Sequence, residues 1–177
     1  MDDTKIANVA AEFVDKPFAL GNKGKGFDCV NSLIEFYSKL GFDFPRTFGE
    51  WTEENYAKGW LRDPGQAKQV LRKFLMTLGR EVDKNYLLRG DLLIIEPKTS
   101  SLKMHPKTEA FLREELEASF PGMKGYISNL LAGRELLSFP AIFLGNDLIM
   151  IVSNKGVFIV PFRFFEDRVV SCRRLIG

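Results

Sequence analysis

The sequence predicts an α+β protein, with helices in its first half and an antiparallel meander closing the chain. Two observations carry this. From residue 4 to residue 79 apolar residues recur at helical spacing in segments ended by proline or glycine, and from residue 139 onward short apolar runs are joined by Gly145-Asn146-Asp147 and Asn154-Lys155-Gly156, which is hairpin turn chemistry. Ile6, Val9, Ala10, Phe13 and Val14 form the apolar face of a first helix, with Thr4 as its cap and Pro17 as its stop. Asp28 caps a second helix whose Val30, Leu33, Ile34 and Tyr37 share a face, and Gly41 ends it. Thr47 and Glu50 have capping-box spacing before a short helix bearing Trp51 and Tyr56. Asp63-Pro64 opens another helix, with Val70, Leu71, Phe74, Leu75 and Leu78 as its stripe and Gly79 as its end.

Asp91 to Glu96, DLLIIE, is an apolar run between Gly90 and Pro97 and reads as a buried strand. Residues 98–137 return to helix: Phe111, Leu112, Leu116 and Phe120 make one stripe, Pro121-Gly122 breaks it, and a shorter piece carries Ile127, Leu130 and Leu131. FPAIFLG, DLIMIVS, GVFIVPF and RVVSCRRL are the closing strands. Residues 1–177 are expected to form a single domain, with 98–137 as a helical insertion.

Composition sets the function classes. Hydrophobic residues at 45% and charged residues at 27% allow a real core, and 25 basic against 23 acidic residues leave a formal charge of +2, too small to imply a polyanionic partner. The first 20 residues lack a signal-peptide apolar run and no segment is long enough to span a membrane, so the chain reads as cytoplasmic. Cys29 and Cys172 stand 143 positions apart and read as thiols. One histidine and two distant cysteines do not make a zinc site, the acids lack calcium-loop spacing, and GNKGKG lacks the ending of a phosphate loop, so no metal or cofactor is expected.

Chemistry concentrates at Cys29. It is the first residue of the second helix, where the helix dipole and unpaired N–H groups favour a thiolate and can hold an oxyanion; the alternative is a small buried packing residue. The segment from Pro17 to Thr47, PFALGNKGKGFDCVNSLIEFYSKLGFDFPRT, resembles the nucleophile region of the NlpC-type family of papain-like cell-wall cysteine peptidases. RGDLLIIE (Arg89 to Glu96) and PAIFLGNDLIMIVSNKGVFIVPF (Pro140 to Phe162) are similar to two further blocks of that family, in the same order. The resemblance implies a papain-like fold with Cys29 on a central helix packed on an antiparallel sheet. It also implies a cysteine attacking an amide carbonyl, assisted by a strand-borne histidine and an orienting polar residue.

The resemblance carries Asp28 and Cys29 over and stops there. Val30-Asn31 replaces the family's Ser-Gly, Phe18 stands where the family has a tyrosine, and counting back from Gly145 puts Phe139 at the histidine position and Ile151 or Val152 at the orienting one. The scaffold pattern predicts that Phe139 contacts Cys29. The chain's one histidine, His105, follows Asp91 by 14 residues, against 48 for Phe139, but it precedes Pro106 and a helical stretch.

Three functions stay open. The leading one is an inactive or nearly inactive NlpC-like domain, binding a peptide or peptidoglycan-like ligand in a cleft formed by Asp28, Phe18, Phe139 and Trp51 or serving a regulatory role. The second is an active thiol hydrolase or acyltransferase using Cys29 with His105 as base. The third is a glycan or nucleic-acid module using Trp51, Tyr56 and Trp60 with the seven basic residues between Lys58 and Lys84, although a solvated helix face is the plainer reading of that stretch, so nucleic acid is not expected.

Overall fold

The computed structural model describes residues 3–21, 24–96, 106–119, 124, 128, 139–153 and 155–177. Among the described residues, the helices α1 (Asp3–Ala11), α2 (Cys29–Lys39), α3 (Tyr56–Arg62), α4 (Pro64–Leu75) and α5 (Pro106–Ser119) accompany eight strands. Two short ones, β1 (Thr47–Phe48) and β2 (Trp51–Thr52), pair as a hairpin. The other six are β3 (Arg80–Glu81), β4 (Leu92–Ile95), β5 (Phe139–Gly145), β6 (Leu148–Ser153), β7 (Gly156–Pro161) and β8 (Val169–Arg174). They form one antiparallel sheet in the order β3-β8-β4-β5-β6-β7.

The expected helix start at Thr47 is corrected by the structure. Gly49 takes a left-handed φ of +63°, which turns the chain in two residues and pairs Phe48 with Trp51, so Trp51 sits on β2 and helix resumes only at Tyr56. The first helix also stops earlier than its apolar stripe: α1 ends at Ala11, and Phe13 reaches the core from the turn beyond it. The helix expected through Phe111, Leu112 and Leu116 is α5, whereas Phe120, Pro121, Gly122, Ile127, Leu130 and Leu131 lie outside the described residues.

Strand alternation sorts the sheet into two faces. Leu92, Ile94, Ile142, Met150 and Val157 face the helices and share the main core with Ile6 of α1, Val30, Leu33, Ile34, Phe36 and Tyr37 of α2, and Ala67, Leu71 and Leu75 of α4. Leu93, Ile95, Ala141, Ile149 and Cys172 point the other way, under Phe162. Each large apolar side chain buried in this way contributes about 1.5–3 kcal/mol.

Antiparallel order brings the end of β4, the start of β5, the end of β6 and the start of β7 to one end of the sheet, its head. At the opposite end the buried Tyr37 hydroxyl donates to the Gly90 carbonyl at 2.9 Å, just before β4. That bond ties the last turns of α2 to the foot of the sheet and leaves its N-terminus, with Cys29, at the head. The insertion between β4 and β5 leaves and rejoins the sheet at that end. Buried Asp91, at the foot of β4, is held by Arg174 of β8 through two hydrogen bonds of 2.8 and 2.7 Å.

Candidate active site around Cys29

Asp28 builds the start of α2. Its Oδ1 accepts from the N–H groups of Val30 and Asn31, both at 2.9 Å, and the Asn31 amide oxygen accepts from the Asp28 N–H at 2.8 Å, a reciprocal capping box. Oδ2 accepts from the Gly21 N–H at 2.7 Å and from the Tyr56 hydroxyl. The carboxylate is 1% exposed and all its oxygens are engaged. It serves the fold and does not reach into solvent.

The wall beside Cys29 rests on close backbone approaches. Phe18 and Phe27 form a parallel bridge, and the Phe27 N–H donates to the Pro17 carbonyl at 2.8 Å. A Cβ on Gly26 would lie 2.2 Å from that carbonyl oxygen, and one on Gly156 would lie 2.4 Å from the Lys16 oxygen, so glycine alone fits where the β6–β7 hairpin meets this strip. Gly156 also holds φ at +125°. Beyond the hairpin tip, Lys155 reaches Glu115 of α5 at 2.9 Å, which fastens the described helix of the insertion to the head of the sheet.

The Cys29 thiol is half-buried and its pKa is pushed up to about 12. Burial is the main cause and the Asp28 carboxylate the next; Lys68 and the N–H groups of Cys29 and Val30 pull the other way without prevailing. The helix dipole therefore does not yield a resting thiolate. At pH 7 the ionised fraction is on the order of one in 10⁵.

The expected contact between Phe139 and Cys29 fails. Phe139 pairs with Ile95 on the face turned away from α2, and its ring meets Phe165 at 5.7 Å. The reason is local: β5 shifts register on β6 between Phe143 and Gly145, and counting back from Gly145 crosses that irregularity. Pro140 is the first described residue of β5 on the α2 side, and Val152, which packs against the main core, is its counterpart at the end of β6, whereas Ile151 faces away. Phe18 is half-buried on the strip beside Cys29. Trp51, expected along the cleft, is 6% exposed with its ring over Gly59. His105 lies outside the described residues.

Tyr56 and Trp60 are buried as well, so these rings are packing residues and offer no stacking platform. The sequence reading took Tyr56 for a stacking ring and Lys68 for part of a basic face, and missed the places the structure gives them. Tyr56 gave no signal, because its bond to Asp28 spans 28 positions. Lys68 did: it falls in the stripe Pro64, Ala67, Leu71, Leu75 of α4 and is 6% exposed, its Nζ 6.0 Å from the Trp60 ring centroid. With Leu71, Arg72, Leu75, Ile94, Phe139 and Pro140 it lines a cavity of about 10 Å³, room for one water. Arg72 closes the rim by pairing with Glu96. Among the described residues no cluster of His, Cys, Asp and Glu is arranged to hold a metal, and no described helix is long and apolar enough to cross a membrane.

No family model matches the sequence, and no curated protein is found similar to it. Solved structures are similar. An NlpC/P60 family protein from Bacillus cereus superposes over 100% of this chain with a TM-score of 0.54 and 16% identity, and NlpC2 from Trichomonas vaginalis over 98% with 0.51 and 14%. The chain spans 41% and 46% of those two structures, less than half of either. What the likeness establishes is the architecture: this chain has the α+β papain-like fold of the NlpC/P60 proteins, with Cys29 at the N-terminus of its central helix.

Proposed function

We propose that this chain is a catalytically silent NlpC-type domain that binds a peptide or peptidoglycan-like ligand at the head of its sheet, as a binding or regulatory protein. The observation that supports this is the set of residues turned toward Cys29. Amide hydrolysis by cysteine needs a base within hydrogen-bond reach of the thiol. At the head of the sheet the first described α2-facing residue of β5 is Pro140 and that of β6 is Val152, both without a proton to exchange. Burial and Asp28 together hold the thiol protonated.

A second reading has its own support. His105 immediately precedes α5, and α5 is fastened to the hairpin at the head of the sheet through Glu115 and Lys155. A cysteine hydrolase on this scaffold would take His105, the chain's one histidine, as its base.

Incubation with peptidoglycan fragments, read by mass spectrometry for new chain ends and by calorimetry for binding, separates the two. The silent domain binds equally well as wild type and as Cys29→Ala, and neither yields product. Product from the wild type that disappears in both Cys29→Ala and His105→Ala overturns the first reading in favour of the second.

A further inference from the structure

The strip from Asp15 to Ala19 runs between two other segments at the head of the sheet. On one side the Val157 N–H donates to the Lys16 carbonyl at 3.0 Å and the Asp15 N–H to the Val157 carbonyl at 3.3 Å, beside the tip of the β6–β7 hairpin. On the other, the Phe27 N–H donates to the Pro17 carbonyl at 2.8 Å and the Ala19 N–H to the Phe27 carbonyl at 3.1 Å, just before Cys29. Each of the three segments carries an exposed lysine: Lys155 next to Gly156, Lys16 on the strip, and Lys25 next to Gly26. The glycines keep the segments close, because Gly156 and Gly26 approach the consecutive carbonyls of Lys16 and Pro17 where neither tolerates a Cβ. Asp15 is the one exposed acid among the described residues of these segments, so like charges are held together on neighbouring backbones.

A further carboxylate comes to this rim from the insertion. Glu115 of α5 pairs with Lys155 at 2.9 Å, and the acid is the more enclosed of the two, 22% exposed against 59% for the lysine. The head of the sheet therefore already houses a carboxylate. We propose that Lys16, Lys25 and Lys155 form a carboxylate-recognition rim beside Cys29, that its ligand is an acidic peptide, and that Glu115 of α5 competes with that ligand. The inference rests on the peptide-binding reading and deepens it by naming the charge of the peptide. An exposed ion pair is weak and screened by salt, so Glu115 can be displaced. A peptide bearing several carboxylates engages the three lysines together and gains from each.

The test is fluorescence anisotropy with labelled hexaglutamate at low salt, with hexaglutamine as the neutral control and hexathymidylate as a phosphate polyanion. Hexaglutamate is expected to bind and hexaglutamine not, with an affinity that falls as salt is added. Lys16→Gln/Lys25→Gln/Lys155→Gln should weaken binding about tenfold or more, the corresponding triple arginine variant should stay within about threefold, and Glu115→Gln should tighten binding about two- to fivefold. Hexaglutamate that binds neither the wild type nor Glu115→Gln, undiminished binding by the glutamine variant, or an equal loss in the arginine variant overturns the proposal. Tighter binding of hexathymidylate also overturns it and assigns the rim to nucleic acid. Calorimetry with peptidoglycan fragments reports on the parent reading separately. Fragments that bind where hexaglutamate does not overturn the lysine rim alone, and hexaglutamate binding without fragment binding supports the rim while removing the peptidoglycan-like ligand.

Discussion

The raised pKa of Cys29 makes stability depend on alkaline pH in a way that one substitution exposes. The native thiol ionises near 12, whereas in the unfolded chain its value is 9.0. Between these values the unfolded state has lost a proton that the native state keeps, so stability is intact below about pH 9 and falls as pH rises. At pH 10 the unfolded chain gains RT ln(1 + 10), about 1.4 kcal/mol, and the native state almost nothing; at pH 7 both contributions are close to zero. The figure survives screening of the half-buried thiol, because a native value of about 11 would change it by less than about 0.1 kcal/mol. Urea unfolding at pH 7 and pH 10, read through the buried Trp51 and Trp60, would compare Cys172→Ser with Cys172→Ser/Cys29→Ala. The packing cost of alanine is present at both pH values and cancels, as do Tyr37 and Tyr56, whose hydroxyls are also held protonated by burial and neighbouring carboxylates. The protein retaining Cys29 should lose about 1.4 kcal/mol more on going to pH 10. Equal losses would show that the native thiol ionises as freely as the unfolded one and would refute the burial argument.

Three further outcomes follow from the same geometry. Arg174→Met strands the Asp91 carboxylate, 1% exposed, without its bidentate partner, and should cost about 3–5 kcal/mol in urea unfolding at pH 7; a loss below about 1 kcal/mol would mean the pair is dispensable. Tyr56→Phe removes one of four donors to the buried Asp28 carboxylate and should lower stability by about 1–3 kcal/mol, with an unchanged thermal midpoint counting against that bond. Pro140→His places an imidazole on the side of β5 that α2 covers and should speed Cys29 alkylation near neutral pH, whereas Phe139→His should not; the reverse ranking would overturn the assignment of faces.

Much of the scaffold was legible because it is written in local pattern. The cap at Asp28, the Asp63-Pro64 opening of α4 and the glycine turns between β5, β6 and β7 rest on residues a few positions apart. The misread parts depend on chain-distant partners or on a single backbone angle. β3 is two exposed residues made a strand only by pairing with β8, and the helix expected from Thr47 became a hairpin because Gly49 turns left-handed. Lys68 was readable from its place in the apolar stripe of α4, yet the basic composition around it suggested a solvated face.

The site fared differently for a physical reason. A strand alternates faces at every residue, so an alignment wrong by one position is wrong about every side chain it carries. The insertion separates β4 from β5 and removes any nearby anchor for the start of β5, while the shift between Phe143 and Gly145 spoils the count from the other end. Phe139 was consequently expected against Cys29, when the first described residue of β5 on the α2 side is Pro140. A chain with the NlpC/P60 fold can keep the cysteine and its capping aspartate because both stabilise the start of the central helix. Asp28-Cys29 at the start of the helix is therefore no measure of catalysis; the groups that face the thiol from the sheet are.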